Sequence, residues 1–246
     1  MSGADGDPWR RRRDLVRSSI LAHLDNDEPG LVDLLAALCR GAAAHLELRG
    51  AAVNLMSSKG SEGVVAASDA ACKDLVEMQF TSGEGPCHDA FALRRPVLAP
   101  DLASAREQRW RGYASLAVEA GVRSVFALPL QVGAAGLGVL DLFGEHPGAL
   151  DDERVAIALT FAQVATEILL DGRLTTADGN LDPDLESALD YRSEIFQAQG
   201  MLMIVLGIGL AESLSRMRAH AFGHGSPLVD LAHEIISGRV FEEGEI

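Results

Sequence analysis

Two apolar stripes on a single helical stretch constrain this chain more than any other feature. Ala188, Tyr191, Ile195, Ala198, Leu202 and Val205 recur in alternating steps of three and four, the seam of a helix packed lengthwise on a partner. Leu185, Leu189, Phe196, Met203 and Leu206 fall on a neighbouring face. A helix with two apolar faces needs two neighbours, which predicts that it both builds a small bundle and dimerises. Gly207 and Gly209 stop the pattern. Leu210, Leu214, Met217 and Ala221 then predict a second helix ending at Gly223 and Gly225. Ser226 as N-cap and Pro227 at the first position predict a third helix. Its buried face is Leu228, Leu231, Ala232, Ile235 and Ile236, with Gly238 near the stop.

At 246 residues the chain has room for one large domain or two smaller ones. Asp171 to Pro183, rich in Asp, Gly and Thr, reads as a linker between a larger first domain and the small bundle. The first thirty residues lack a signal-peptide core, and the longest apolar run, Met201 to Ala211, is far short of the ~20 residues that span a bilayer. The expectation is a soluble cytoplasmic protein with no membrane partner. Cys39, Cys72 and Cys87 form no close pair, so they predict neither a disulfide framework nor a zinc knuckle.

The first domain begins with a polar segment, residues 1–27, whose first thirteen residues are expected to fray. Arg10 to Arg13 beside Asp14 read better as a solvated helix start than as a nucleic-acid patch. Leu31 to Leu46 is an amphipathic helix. Strands are predicted at 51–57, 63–68, 96–99, 124–130 and 137–143, with Gly133-Ala134-Ala135-Gly136 joining the last two. Gly83 to Pro86 turns into a short helix over 87–93, Ala105 to Ala120 is helical, and Asp151 caps a last helix. Short loops between strands, with helices around them, give an α+β domain with an antiparallel sheet.

Charge bears directly on function. The net charge is −15, and residues 184–246 hold four arginines against ten acidic residues. Such a surface has no general attraction for phosphate, so any nucleic-acid site must be local. Arg192 and Gln199, seven apart, share one face of the first bundle helix; Gly200 allows close backbone approach or helix packing. Arg216 and Arg218 splay apart, and these arginines could equally be solvated or paired with Glu194 and Glu212.

Two resemblances sharpen these readings. Arg192-x-x-Ile195-x-x-Ala198-x-Gly200-x-Leu202-Met203 resembles the first helix of an ANTAR domain. Ala211 to Leu214, Met217-Arg218, Ala221 and Leu231-Ala232-x-x-Ile235-Ile236 continue the match over 184–241, leaving an acidic tail at 242–246. Gln199 stands where that family usually has Lys, and Gly209-Leu210 where it often has a polar cap. The resemblance implies an RNA-binding module that, as a homodimer, holds paired stem-loops and prevents a terminator from forming. It points to Arg192, Gln199, Gly200 and Arg218 as RNA contacts.

Upstream, Gln79, Gly83-Glu84-Gly85-Pro86-Cys87-x-Asp89-Ala90, Pro96-Val97-x-x-x-Asp101-Leu102 and Trp110 are landmarks similar to those of a GAF domain. They continue through Gly121 to Val125, Ala127 to Leu130 and Leu137 to Leu140, so the resemblance spans 28–170; relatives often have Pro at the position of Arg111. Together the two halves resemble a GAF–ANTAR antitermination regulator of the actinobacterial type. The implied sensor holds a small ligand between sheet and helices, for which Cys87, His88 and Trp110 are candidates. Core packing is the plainer use of Trp110 and Tyr113, and a structural thiol the plainer use of Cys87. Some GAF-fold proteins reduce methionine sulfoxide with cysteines, so a thiol-dependent reductase, or a redox sensor acting through protein contacts, stays open as an alternative. His88 as a haem or metal ligand lacks any metal-spaced second ligand. Neither a cofactor nor catalysis is expected.

Overall fold

The computed structural model describes residues 7–26, 28–56, 62–104, 107–171 and 193–239. The linker after Asp171, the start of the long helix with Arg192, and the acidic tail lie outside the described residues. Helices α1 (Pro8–Ala22) and α2 (Leu31–Leu46) lead into strands β1 (Gly50–Met56) and β2 (Glu62–Ala67). Then follow α3 (Ala70–Ser82), α4 (Pro86–Leu93), β3 (Val97–Ala99), α5 (Arg111–Glu119), β4 (Ser124–Val132), β5 (Ala135–Gly144) and α6 (Asp152–Asp171). The C-terminal helices are α7 (Ser193–Leu206), α8 (Leu210–His224) and α9 (Leu228–Ile236).

The strands form one antiparallel sheet in the order β2-β1-β5-β4-β3. Because successive side chains alternate faces, each strand feeds two cores. Leu140 and Leu142 of β5, with Phe126 and Leu128 of β4, pack under α1, α2 and α6 beside Leu35, Leu38 and Phe161. Val139 and Phe143 point the other way, into the layer formed by α3, α4 and α5. Asp141, between Leu140 and Leu142 in register, faces that second layer as well.

Local chemistry explains most element ends. The Asp69 carboxylate accepts the Cys72 N–H at 2.7 Å and starts α3, and Gly83 at φ +70° ends it. Asp151 accepts the Arg154 N–H at 2.8 Å and starts α6. The β4–β5 hairpin turns on Gly133 and Ala134 alone, with Gly133 at φ +55°, so the strands run further than the expected four-residue turn allows.

Three expectations need correction. Residues 8–13 are not frayed: Asp7 accepts the Trp9 N–H, and Pro8 sits at the start of α1. Arg13 then reaches Glu167 of α6 at 2.7 Å, and Val16 and Ile20 are buried in the first core. The helix expected from Ala105 begins only at Arg111, because Trp110 leaves helical geometry to send its ring inward. The cap of α9 is Pro227, one residue after the expected Ser226. The helix α3 between β2 and the Gly83 turn had no expected counterpart, although Cys72, Leu75, Val76 and Phe80 fall at helical spacing on its buried face, a short stripe that the polar Gln79 interrupts.

Phe161 is fully buried beneath the sheet. Phe161→Ala is expected to cost about 3–5 kcal/mol through lost burial and the cavity left behind. A denaturant titration followed by circular dichroism should show that drop in the midpoint.

Candidate functional site

Two regions carry the candidate chemistry: the layer between sheet and α3–α5, and the bundle of α7–α9. A corner of the first domain joins them.

The corner begins with Gln79, buried on α3. Its carboxamide oxygen accepts the Cys87 N–H at 2.8 Å and so satisfies the start of α4 from a distance. A side chain at Gly85, whose φ is +150°, would bring Cβ to 2.4 Å from that same oxygen. The glycine spacing of the landmark is thereby explained. One residue earlier, the Glu84 carboxylate accepts the Gly112 and Tyr113 N–H groups at 2.6 and 3.2 Å, capping α5 where its dipole favours negative charge. Trp110 Nε1 donates to Asp89 at 3.1 Å, with the Arg109 guanidinium 4.0 Å from its ring centre. Turn, α4 and α5 are thus tied together by side chains.

Behind this corner lies a polar cluster in an apolar layer. Tyr113 and Asp141 are fully buried, and Asn54 is 1% exposed. Asp141 pairs across the sheet with Ala52 and Ala127, whose small side chains leave room around the carboxylate. Among the described residues, the Tyr113 hydroxyl and both polar atoms of the Asn54 amide find no hydrogen-bond partner. Burial pushes the Tyr113 hydroxyl well above its usual range, and the charges of Asp141 and Cys87 add to the effect.

The expected ligand residues sit around this cluster in unequal roles. Cys87 is 1% exposed and lies in the same core as Tyr113. The His88 ring is turned to the Gln79 carbonyl at 3.0 Å, and Trp110 is 2% exposed and anchored to Asp89. The cluster's own polar residues, Asn54 and Asp141, escaped the sequence reading: alternation within a strand marks a face but not which polar residue is buried. Burial raises the Cys39 and Cys72 thiols and so works against their use as nucleophiles. Cys39, Cys72 and Cys87 are buried and form no disulfide. Burial, reinforced by Asp69, pushes the Cys72 thiol up to about 11 despite opposing help from Ser68 and Arg49. Among the described residues no group of three or more His, Cys, Asp or Glu is placed to hold a metal ion.

In the bundle, Ile195, Ala198 and Leu202 of α7 meet Met217 and Ala221 of α8 and Leu228, Leu231 and Ile235 of α9. Gln199 is not on the surface as its spacing suggested. It is 3% exposed; its amide donates to the Leu210 carbonyl at 2.7 Å, while Ser213 donates to the Gln199 carbonyl at 2.9 Å. The pair of bonds locks the α7–α8 turn. Gly200 is half-buried with open space around it, and Arg216 pairs with Glu212 at 2.7 Å.

Arg218 takes a different course. Its guanidinium lies 4.9 Å from the centre of the Phe80 ring of α3, and a Cβ at Gly83 would come within 3.0 Å of Nη1. Phe80, 1% exposed, is a member of the bundle's own core. Burying such a ring contributes roughly 1.5–3 kcal/mol, and the cation over it about 0.5–2 kcal/mol more. A cleft of about 530 Å³ follows this seam between the 81–84 turn, Gly112 and one side of α8.

With that geometry in view, comparison with known proteins decides the family. Residues 29–169 match the family model described as GAF domain, more than half of the sequence, and residues 184–236 match the ANTAR domain. The chain belongs to the GAF domain family. Its five-stranded antiparallel sheet flanked by helices is GAF-like, and an ANTAR domain follows it. A GAF sensory domain joined to an ANTAR RNA-binding domain is the make-up of a regulator, and neither domain is of a catalytic type. Similar solved structures include the GAF domain of an Acinetobacter phosphoenolpyruvate-protein phosphotransferase (13% identity, TM-score 0.49, 70% of this chain and 96% of that one). Another is free methionine-R-sulfoxide reductase from Neisseria meningitidis in complex with its substrate (18%, 0.48, 70% and 96%). A domain of a sensor histidine kinase from Sinorhizobium meliloti 1021 is a third (17%, 0.48, 59% and 94%). No curated protein matches the sequence. No single helix among the described residues is long and apolar enough to cross a membrane.

The raised Tyr113 and Cys72 groups set a pH dependence. Cys72 keeps its proton in the folded state after the unfolded chain has lost it, so its contribution to stability is complete below pH about 9 and is lost as pH rises through about 11, and the buried Tyr113 and Cys39 groups, raised in the same direction, carry the decline to higher pH. Thermal midpoints should hold near neutral pH and decline above about 9, and Cys39→Ala, Cys72→Ala and Tyr113→Phe combined should flatten the decline. A thiol reagent should label none of the three buried cysteines until the protein unfolds; rapid labelling of the native protein would restore the thiol-enzyme reading.

Proposed function

We propose that this protein is a cytoplasmic RNA-binding antitermination regulator. Its ANTAR domain, as part of a homodimer, holds paired stem-loops near a terminator, and its GAF domain senses a small ligand. The observation that carries the reading is the ANTAR match at 184–236 directly after a GAF domain at 29–169.

The bundle's surface supports it. Ile204, Val205 and Leu210 are 85%, 56% and 57% exposed around the α7–α8 turn, an apolar patch suited to a second copy of the chain. Dimerisation matters for a module this acidic, because two weak RNA sites held together gain effective concentration. We assign phosphate contact to Arg192 and Arg218 and close approach of unpaired bases to Gly200. Gln199 acts one step removed, by holding the turn that carries Leu210. In the sensor, Asn54 and Tyr113, with Asp141 and Cys87 in the same layer, offer polar groups to which a small polar ligand could bond.

A gel-shift titration of the full chain with a tandem stem-loop RNA tests the function. We expect binding that weakens with salt, log K falling by roughly 0.7–0.9 per phosphate neutralised. Arg192→Ala is expected to weaken binding about tenfold without shifting the thermal midpoint, and duplex DNA should not compete. Salt-insensitive binding would rule out the RNA role.

A further inference from the structure

We infer that the GAF domain covers the RNA-gripping side of α8, so that sensor and RNA compete for Arg218. The inference rests on the RNA reading above and extends it to how the output is restrained.

Three independent features of the seam support it. Phe80 belongs to the sensor by sequence but to the bundle by packing: it is 1% exposed among Ile195, Met217 and Ala221. Gly83 ends α3 at φ +70°, and its missing side chain makes the space that the Arg218 guanidinium fills, since a Cβ there would stand 3.0 Å from Nη1. The half-exposed Phe222 extends the contact along α8 to the start of α5, where a Cβ at Gly112 would lie 3.8 Å from its ring. In this arrangement one face of Arg218 rests on an aromatic ring and the Glu84 carboxylate lines the same cleft. A phosphate approaching Arg218 finds one face of the guanidinium already covered by the ring and must tolerate the Glu84 carboxylate in the same cleft.

The seam is also placed to respond to the sensor. The Glu84 carboxylate that lines the cleft caps the first turn of α5, and α5 carries Tyr113 into the buried polar cluster with Asp141 and Cys87. Any occupant that moves Tyr113 moves the turn against which Arg218 rests. If the covered state predominates, the apparent RNA affinity is reduced by the fraction of molecules that are open.

The test uses the full chain with Phe80→Ala, altered on the sensor side, and Phe222→Ser, altered at a half-exposed position of α8 that leaves the cores intact. Hydrogen exchange over 80–84, 110–113 and α8 reports the seam, and titration with tandem stem-loop RNA reports the output. Both substitutions are expected to speed exchange at the seam and to tighten RNA binding about tenfold. Opened seams with unchanged or weaker RNA binding, while the wild type binds RNA, would overturn the masking. Exchange unaltered in both variants would show that these residues do not hold the domains together, and the inference falls. Absence of RNA binding in the wild type and in both opened variants would instead defeat the RNA role itself, and the masking with it.

Discussion

The hydrogen bond from the Cys87 amide to the Gln79 carboxamide is the joint on which the functional half of the molecule depends. A buried amide accepting a helix-start N–H holds α3 and α4 at a fixed angle and leaves the intervening turn no freedom to relax. That turn then does two things at once. Glu84 points to the start of α5, and Gly83 opens a space on the outer side that Arg218 fills. The Gln79 anchor thus helps to position both the sensor's polar cluster and the seam with the bundle.

The sheet separates structural from functional work by alternation. One face meets α1, α2 and α6 in an apolar core that carries most of the large aliphatic residues. The opposite face meets shorter helices and admits Asn54, Asp141 and Tyr113. Buried polar groups are costly, and they persist only where the surrounding fold is stable enough to bear them. The all-apolar side of the sheet supplies that stability, which is why the two kinds of core lie back to back.

The bundle shows how an acidic domain can still present cationic chemistry. Arg216 is neutralised on its own helix by Glu212 and His233 pairs with Glu194, while Arg218 is carried to the seam and stacked on an aromatic ring. Position on the helix, not the number of charges, separates these arginines. Gln199 illustrates the converse. Its polar character suggested a surface contact, yet its reach across to Leu210 makes it a brace for the α7–α8 turn.

By itself the amino-acid sequence determined the element order in most of the chain, the antiparallel sheet, the helical C-terminal unit and the family landmarks. These follow from local chemistry: apolar period along a helix or strand, cap residues such as Asp151, and glycines where φ must be positive. The start of α5 was misread for the opposite reason, since Trp110 leaves the helix to satisfy a partner, Asp89, that local pattern does not reveal. Only the tertiary structure decided that Asp141 and Asn54 are buried, that Gln199 faces inward and that Phe80 completes the core of another domain. Burial, partnership and the contact between domains arise from residues far apart in the chain, and a one-dimensional pattern records which faces are apolar but not what they meet.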